Sequence, residues 1–241
     1  MAKDKIKDND FEIIIPVFNE GNQFIFLLEE LIRKITFNFS IIIAYDSDKD
    51  KTLQLINNFR IKNKIKLVKN ELYGPNNAIL SAIKKVEAKH FFVYMADDLH
   101  NINLINKIYK ISLNSNHDYD LIIPSRFIKG GKMINCPFPK NVLVRTGNKI
   151  ICLLSDGITD ATNAFKFFKT KSFNNINIKS KEGFTYALEA TLKMQLNKNN
   201  IIETPAIWIE RKSGKSNFKI IKWLPYYTYW LIYLFISRII K

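Results

Sequence analysis

The first half of the chain is built from short β-branched and aromatic runs, each followed by a segment of helical period. Phe11–Pro16 (FEIIIP), Ser40–Tyr45 (SIIIAY), Ile65–Lys69 (IKLVK) and Phe91–Met95 (FFVYM) are the runs. Phe24, Leu27, Leu28, Leu31, Ile32 and Ile35 recur at helical spacing behind the first. Thr52–Arg60, Asn76–Val86 and the stretch around Leu104–Leu113 do the same behind the others, ahead of a fifth run at Leu121–Pro124. A strand with one wet face alternates apolar and polar residues strictly, and these do not. They predict strands buried on both faces, in a mainly parallel sheet covered by helices, hence a three-layer α/β domain.

Ligands of such sheets bind beyond the carboxyl ends of the strands. The polar clusters of this chain stand there: Asn19-Glu20 after the first run, Asp46-Ser47-Asp48 after the second, Asp97-Asp98 after the fourth. No G-x-G-x-x-G follows the first run and no G-x-x-x-x-G-K-[ST] occurs, which excludes the ordinary dinucleotide and P-loop sites. The second half is less regular. It reads as a helix at Val142–Leu154, an irregular stretch Asp156–Lys169, a helix at Thr185–Leu196 and a strand at Ile201–Ile209.

A formal net charge of +15 calls for an anionic partner: nucleic acid, lipid headgroups or phosphorylated substrates. The lysines are dispersed and no nucleic-acid recognition motif is present, so no nucleic-acid partner is expected. Cys136 and Cys152 have neither metal-ligand nor redox spacing and read as reduced thiols. The amino terminus MAKDKIKDND lacks an apolar h-region. Both features point to a cytoplasmic location.

A carboxylate at a strand tip suits a hard divalent cation, which prefers oxygen ligands and often keeps only one or two from protein. Asp97 or Asp98 fits that need; the alternative is a solvated turn that caps the following helix. At this point the segments IIIPVFNEG, AYDSDKDKT and MADDLHN resemble the first half of family 2 glycosyltransferases with the GT-A fold. Their usual patterns there are P-x-x-N-E, D-D-x-S-x-D-x-T and D-A-D-L-x-H. SRFIKGGKM, DATNAFKFF, EGFTYALEATLKM, IIETPAIWIERKSGKSNF and KWLPYY resemble the polyprenyl-phosphate branch, similar to dolichol-phosphate-mannose synthases. The likeness runs from about Phe11 to Tyr227.

The resemblance implies a donor site for a nucleotide-diphospho-sugar. Pro16, Asn19, Glu20, Asp46 and Asp50 would line or shape the nucleotide pocket, with Arg126, Arg211 and Ser216 at the phosphates. Asp97 would hold Mg²⁺ or Mn²⁺, and Asp97, Asp98 and Glu189 would form the catalytic group. Lys140 and Arg145 would meet the phosphate of a lipid-linked acceptor. Tyr45 stands where the family has the first Asp of D-D. Met95 and Asp97 stand at the two Asp positions of D-A-D, with Asp98 an extra carboxylate; a one-residue shift would put Ala96 and Asp98 there instead. Asn163 reads as a site residue or a turn residue, Lys166 as one more solvated lysine, and His90 and His117 as surface residues.

The tail Trp223–Ile240 is apolar and aromatic, yet its 14 or so residues before Ser237-Arg238 fall short of the roughly 20 that cross a bilayer. Behind the basic residues Arg211, Lys212, Lys215, Lys219 and Lys222 it reads as an interfacial helix on a membrane surface, or as a helix packed on its own domain. The expected layout is a disordered start over 1–10, a GT-A domain over 11–222 and a membrane-associating helix over 223–241. The expected enzyme is an inverting hexosyltransferase peripheral to the inner face of the membrane, with a lipid-phosphate or glycan acceptor. The alternatives are a polysaccharide or small-molecule acceptor, or a relative that binds nucleotide sugar without turnover.

Overall fold

The runs fall in one seven-stranded sheet, with those beginning at Phe11, Ser40 and Phe91 in its interior strands and Ile65–Lys69 at one edge. The computed structural model describes residues 10–57, 65–114, 117–210 and 220–239, apart from the side chains of Ile220 and Ile221. In chain order the elements begin with β1 (Phe11–Val17), α1 (Asn22–Lys34), β2 (Ser40–Tyr45), α2 (Lys51–Asn57), β3 (Ile65–Lys69) and α3 (Pro75–Ile83). Next come β4 (His90–Val93), α4 (Ile102–Ser112), β5 (Leu121–Ser125), β6 (Lys132–Ile134) and α5 (Phe138–Leu154). The chain continues with β7 (Lys166–Lys169), α6 (Thr170–Asn174), α7 (Thr185–Leu196), β8 (Ile201–Pro205), β9 (Ile207–Ile209) and α8 (Ile220–Ile239).

The strand order is β3-β2-β1-β4-β7-β5-β8, with β7 antiparallel to both its neighbours and the other pairs parallel. Both faces are dry. Ile13 and Ile15 meet Phe24, Leu27 and Leu31 of α1 and Ile105 of α4, whereas Ile14, Ile42 and Val93 meet Ile79 of α3 and the α7–α8 layer. Period two within a strand therefore divides one apolar run between two cores, which is why the runs carry no polar face.

Two expectations about the strands need correcting. The irregular stretch Asp156–Lys169 ends in β7, a four-residue strand inserted between β4 and β5. The single strand expected at Ile201–Ile209 is two: β8 stays beside β5, and the chain breaks at Pro205-Ala206 so that β9 pairs with β6 in a second, two-stranded sheet. Pro205 has no N–H to continue the ladder, while Ala206 donates to the Ser125 carbonyl at 2.9 Å.

At the edges, Asp10 belongs to the folded body, 8% exposed, with its carbonyl accepting from the His90 amide. His90 is no ordinary surface residue. Its ring stacks on Phe11 and Phe167 with centroids 5.1 and 5.3 Å away, and burial pushes its pKa down. The boundary drawn between 222 and 223 falls inside α8, whose Trp223, Trp230 and Leu234 are buried on the domain. Trp230 Nε1 donates to Ser180 Oγ at 2.9 Å, and Gly183, at φ +60°, lies so close to Trp223 that a Cβ would sit 2.7 Å from the indole. Among the described residues no helix is long and apolar enough to cross a membrane.

Candidate active site

The sheet changes winding direction at β1, with β2 on one side and β4 on the other, and a crevice of about 1020 Å³ opens beyond these strand ends. Pro16 and Glu20 reach it from β1, Asp46 from β2, Asp97 and Asp98 from β4, Arg126 from β5 and Lys140 from α5. Topology thus brings these seven sequence-predicted residues together.

The loops after β1 and β2 brace each other. Asp50, only 3% exposed, accepts the Asn19 amide on both carboxylate oxygens at 3.1 and 3.0 Å and the Thr52 amide at 2.8 Å. Thr52 Oγ1 accepts from the Glu20 amide at 3.0 Å. Asn19 adopts φ 54°, a left-handed turn that swings Glu20 to the crevice. Asp50 and Asn19 are therefore loop builders that do not line the crevice themselves. Asp46 accepts from Asn70 Nδ2 at 2.7 Å and from the Gly74 amide at 2.9 Å, which fixes its carboxylate at the crevice wall.

The two aspartates behind β4 are not equivalent. Asp98 caps the turn into α4: its Oδ1 accepts the amides of His100 and Asn101, each at 3.1 Å, and its Oδ2 accepts Asn101 Nδ2 at 2.7 Å. Burial pushes its carboxyl above the usual range, against those hydrogen bonds. Asn101 also exchanges hydrogen bonds with Ile207, tying the second sheet to the same turn. With Asp98 so engaged, the turn leaves Asp97 at the crevice, partly exposed.

Arg126 enters from the end of β5. Its Nε and Nη2 fork onto Asp160 Oδ2 and Oδ1, both at 2.7 Å, its amide adds a third bond at 2.9 Å, and Nη2 also reaches Thr162 Oγ1 at 3.0 Å. Burial opposes its charge, but Asp160 outweighs that and raises its pKa. Gly131 is required by this packing: a Cβ there would overlap the Ser125 carbonyl oxygen and lie 2.7 Å from the Arg126 carbonyl carbon. Lys140 pairs with Glu210 at 2.7 Å and sits 4.5 Å over the Trp208 ring. Arg145 is exposed, bonded to Asn141 at 2.6 Å, and does not line the crevice.

Glu189 also lies apart from the crevice. It is fully buried, and its oxygens accept the amides of Lys179 and Ser180 at 2.7 and 2.6 Å, with Lys193 as ion-pair partner. Its position holds the 179–180 backbone against α7. Asn163 holds its turn, donating to the Pro124 carbonyl at 2.7 Å and accepting the Phe165 amide at 3.1 Å, and it also lines the crevice. Lys166 is not solvated at all: it is fully buried. Sequence reasoning passed over Asp160, the partner of Arg126, although it opens the DATNAF segment already singled out. It also passed over Glu210 and Asn76, the latter bridging Ser180 and Tyr186 at 2.7 and 2.8 Å. Arg211, Gly214 and Ser216 lie outside the described residues, as do Lys212, Lys215, Lys219 and residues 1–9.

The model of the family described as glycosyl transferase family 2 matches residues 12–176, strands β1 to β7 with the crevice loops. The chain belongs to glycosyl transferase family 2. A dolichol-phosphate mannosyltransferase of Pyrococcus furiosus is 25% identical over 217 residues, 86% of this chain and 58% of the relative. The chain spans less than two thirds of the length of the first curated relatives it matches. In fold it is similar to glucosyl-3-phosphoglycerate synthase from Mycobacterium tuberculosis, solved with Mn²⁺, UDP and glucosyl-3-phosphoglycerate (TM-score 0.68, 10% identity, 95% of this chain and 80% of that one). It is likewise similar to mannosyltransferase PcManGT from Pyrobaculum calidifontis, solved with GDP-Man and Mn²⁺ (TM-score 0.60, 13% identity, 86% and 58%). The fold of this family 2 glycosyltransferase is thus the GT-A arrangement of a mainly parallel sheet between helical layers.

Proposed function

We propose that this glycosyltransferase moves a hexose from a nucleotide-diphospho-sugar to a polyprenyl phosphate, or another lipid-linked acceptor, with inversion at the anomeric carbon. One observation carries the lipid part of this reading. The crevice that Asp97, Arg126 and Lys140 line is lined also by apolar residues of α5 and α8: Val144, Ile151, Trp223, Tyr227 and Leu231. A charged head and a hydrocarbon tail on one acceptor match these two kinds of lining. The outer faces of the same helices carry exposed Phe138 and Leu153, about 80% accessible, and Tyr229, Ile232, Phe235 and Ile239 at over half. That apolar surface suits a peripheral seat on a membrane, where such an acceptor resides.

The donor set at the crevice tests whether a divalent cation fits. No cluster of three or more His, Cys, Asp or Glu that could hold a metal occurs among the described residues. A hard cation shared with substrate phosphates needs only one or two protein carboxylates, so Asp97 beside a bound diphosphate fits Mg²⁺ or Mn²⁺. Such a cation, when bound, neutralises negative charge that builds on the departing diphosphate.

The chain's own residues supply the rest. Glu20 and Asp46 orient the nucleoside, and Arg126, held by its Asp160 fork, offers its positive charge to the diphosphate. The bond from the anomeric carbon to the β-phosphate oxygen breaks as an acceptor phosphate oxygen bonds to the opposite face. One in-line displacement inverts the centre and releases a nucleoside diphosphate. The acceptor is already an anion, so no strong general base is needed, consistent with Glu189 lying away from the crevice. The test offers one donor to polyprenyl phosphate, to the matching polyprenol and to a soluble glycan, all in detergent. Transfer to the phosphate alone supports the reading; transfer to the glycan alone rejects it.

A further inference from the structure

Behind Arg126 lies a group of charges, two fully buried and Glu203 half-buried, that a simple phosphate clamp does not require. Asp160 and Lys166 are wholly inaccessible, and Glu203 on β8 grips the Asp160 turn through the Asp160 amide at 2.9 Å and the Thr159 amide at 3.0 Å. Arg126 satisfies Asp160 from the crevice side, whereas Lys166 Nζ has no hydrogen-bond partner among the described residues. The β7 register places Lys166 beside Val93 in the apolar layer under the crevice floor. The charged groups acting on it are Asp160 from the turn, Glu203 from β8 and Arg126 from β5; β4, paired alongside, adds none there.

We propose that Lys166 is a positioning residue for phosphate capture: its protonation sets how much positive charge Arg126 presents to the crevice. This rests on the reading of the crevice as a phosphate-binding donor site. With Lys166 protonated, two cations balance two carboxylates and the Arg126 charge is available to a ligand. With Lys166 neutral, the group carries one net negative charge, and Asp160 and Glu203 draw Arg126 inward electrostatically. Burial drives the lysine pKa down to about 7, with Asp160 and Glu203 resisting and Arg126 assisting, so the change falls in the neutral range. A surface lysine cannot act in this way, because its proton stays bound at that pH and solvent screens it.

The experiment measures UDP and GDP binding with Mg²⁺, and inorganic pyrophosphate binding, to the full chain from pH 6 to 8.5. The unaltered protein is compared with Lys166→Arg, always charged, and Lys166→Met, always neutral. Titration of the ligand itself is common to all and cancels in ratios between them. Unaltered protein should match Lys166→Arg at pH 6 and bind about fivefold more weakly than it at pH 8.5, converging there on Lys166→Met. If Lys166→Arg does not fold, the advantage of the unaltered chain over Lys166→Met must fall from about fivefold to none over the same range. Ratios that stay constant with pH overturn the role of Lys166. Pyrophosphate binding with the expected pH dependence, but no nucleotide binding, rejects the donor reading and leaves the lysine's role intact; binding of none of the probes rejects both.

Discussion

Arg126 and Asp160 meet as a two-point fork, Nε on Oδ2 and Nη2 on Oδ1 at 2.7 Å each, with side chains only 10% and 0% exposed. A buried pair of this kind joins two distant segments: the end of β5 and the turn before β7. Removing one partner strands the other charge away from water. Asp160→Asn should therefore cost about 3–5 kcal/mol of stability and weaken nucleotide-diphosphate binding. Denaturant unfolding and ligand titration on the same preparation check both, and an unchanged unfolding midpoint would contradict the first.

Asp97 and Asp98 should separate cleanly under substitution. Asp97→Asn should leave the unfolding midpoint in place and abolish divalent-cation-dependent turnover. Asp98→Asn should lower stability by about 1–3 kcal/mol, because its oxygens hold the His100 and Asn101 amides. Steady-state rates with thermal melts of both variants test this. Full turnover in Asp97→Asn would remove that carboxylate from the site.

Much of this arrangement was legible in the sequence, for identifiable reasons. FEIIIP and SIIIAY read as strands covered on both faces, and strand ends in such sheets gather ligands, so position alone led to Glu20, Asp46 and Asp97, which line the crevice. Where local pattern and tertiary context parted, reading failed. KFFK is too short and too charged at its ends to look like a strand, yet it sits between β4 and β5 with Lys166 buried. Glu189 lies in a segment that resembles the family and Arg145 reads as a site residue for its closeness to Lys140, but helix rotation directs one into the core and the other outward. A linear pattern does not fix that rotation where α7 is buried almost all round.

Glu189→Gln separates a structural from a chemical role. Its carboxylate accepts two amides and pairs with Lys193 in the interior, so the variant should lose about 1–3 kcal/mol. Folded enzyme should keep its kcat within a few-fold. A collapse of kcat at unchanged stability would return Glu189 to the chemistry.

Stability should rise with pH above neutrality. Lys166 titrates near 7 in the folded chain against an ordinary value of 10.5. Between those values the unfolded chain binds the extra proton, so raising pH favours the fold; below about 7 both states are protonated and the penalty is constant. The gain between pH 7 and 10 should reach a few kcal/mol and vanish in Lys166→Met. Denaturant unfolding at pH 7 and 9.5, compared between the two chains, measures it; the same rise in both would place the cause elsewhere.

The most direct test of lipid-phosphate glycosyl transfer is release of nucleoside diphosphate from a panel of UDP-, GDP- and dTDP-sugars. Each is incubated with the full chain, with and without Mn²⁺ and with and without polyprenyl phosphate in detergent. The predicted result is release from one donor class that requires both the cation and the lipid phosphate, matched by a sugar-phospho-lipid product. Binding of a nucleotide sugar without release under any combination would contradict it and make the crevice a binding site alone.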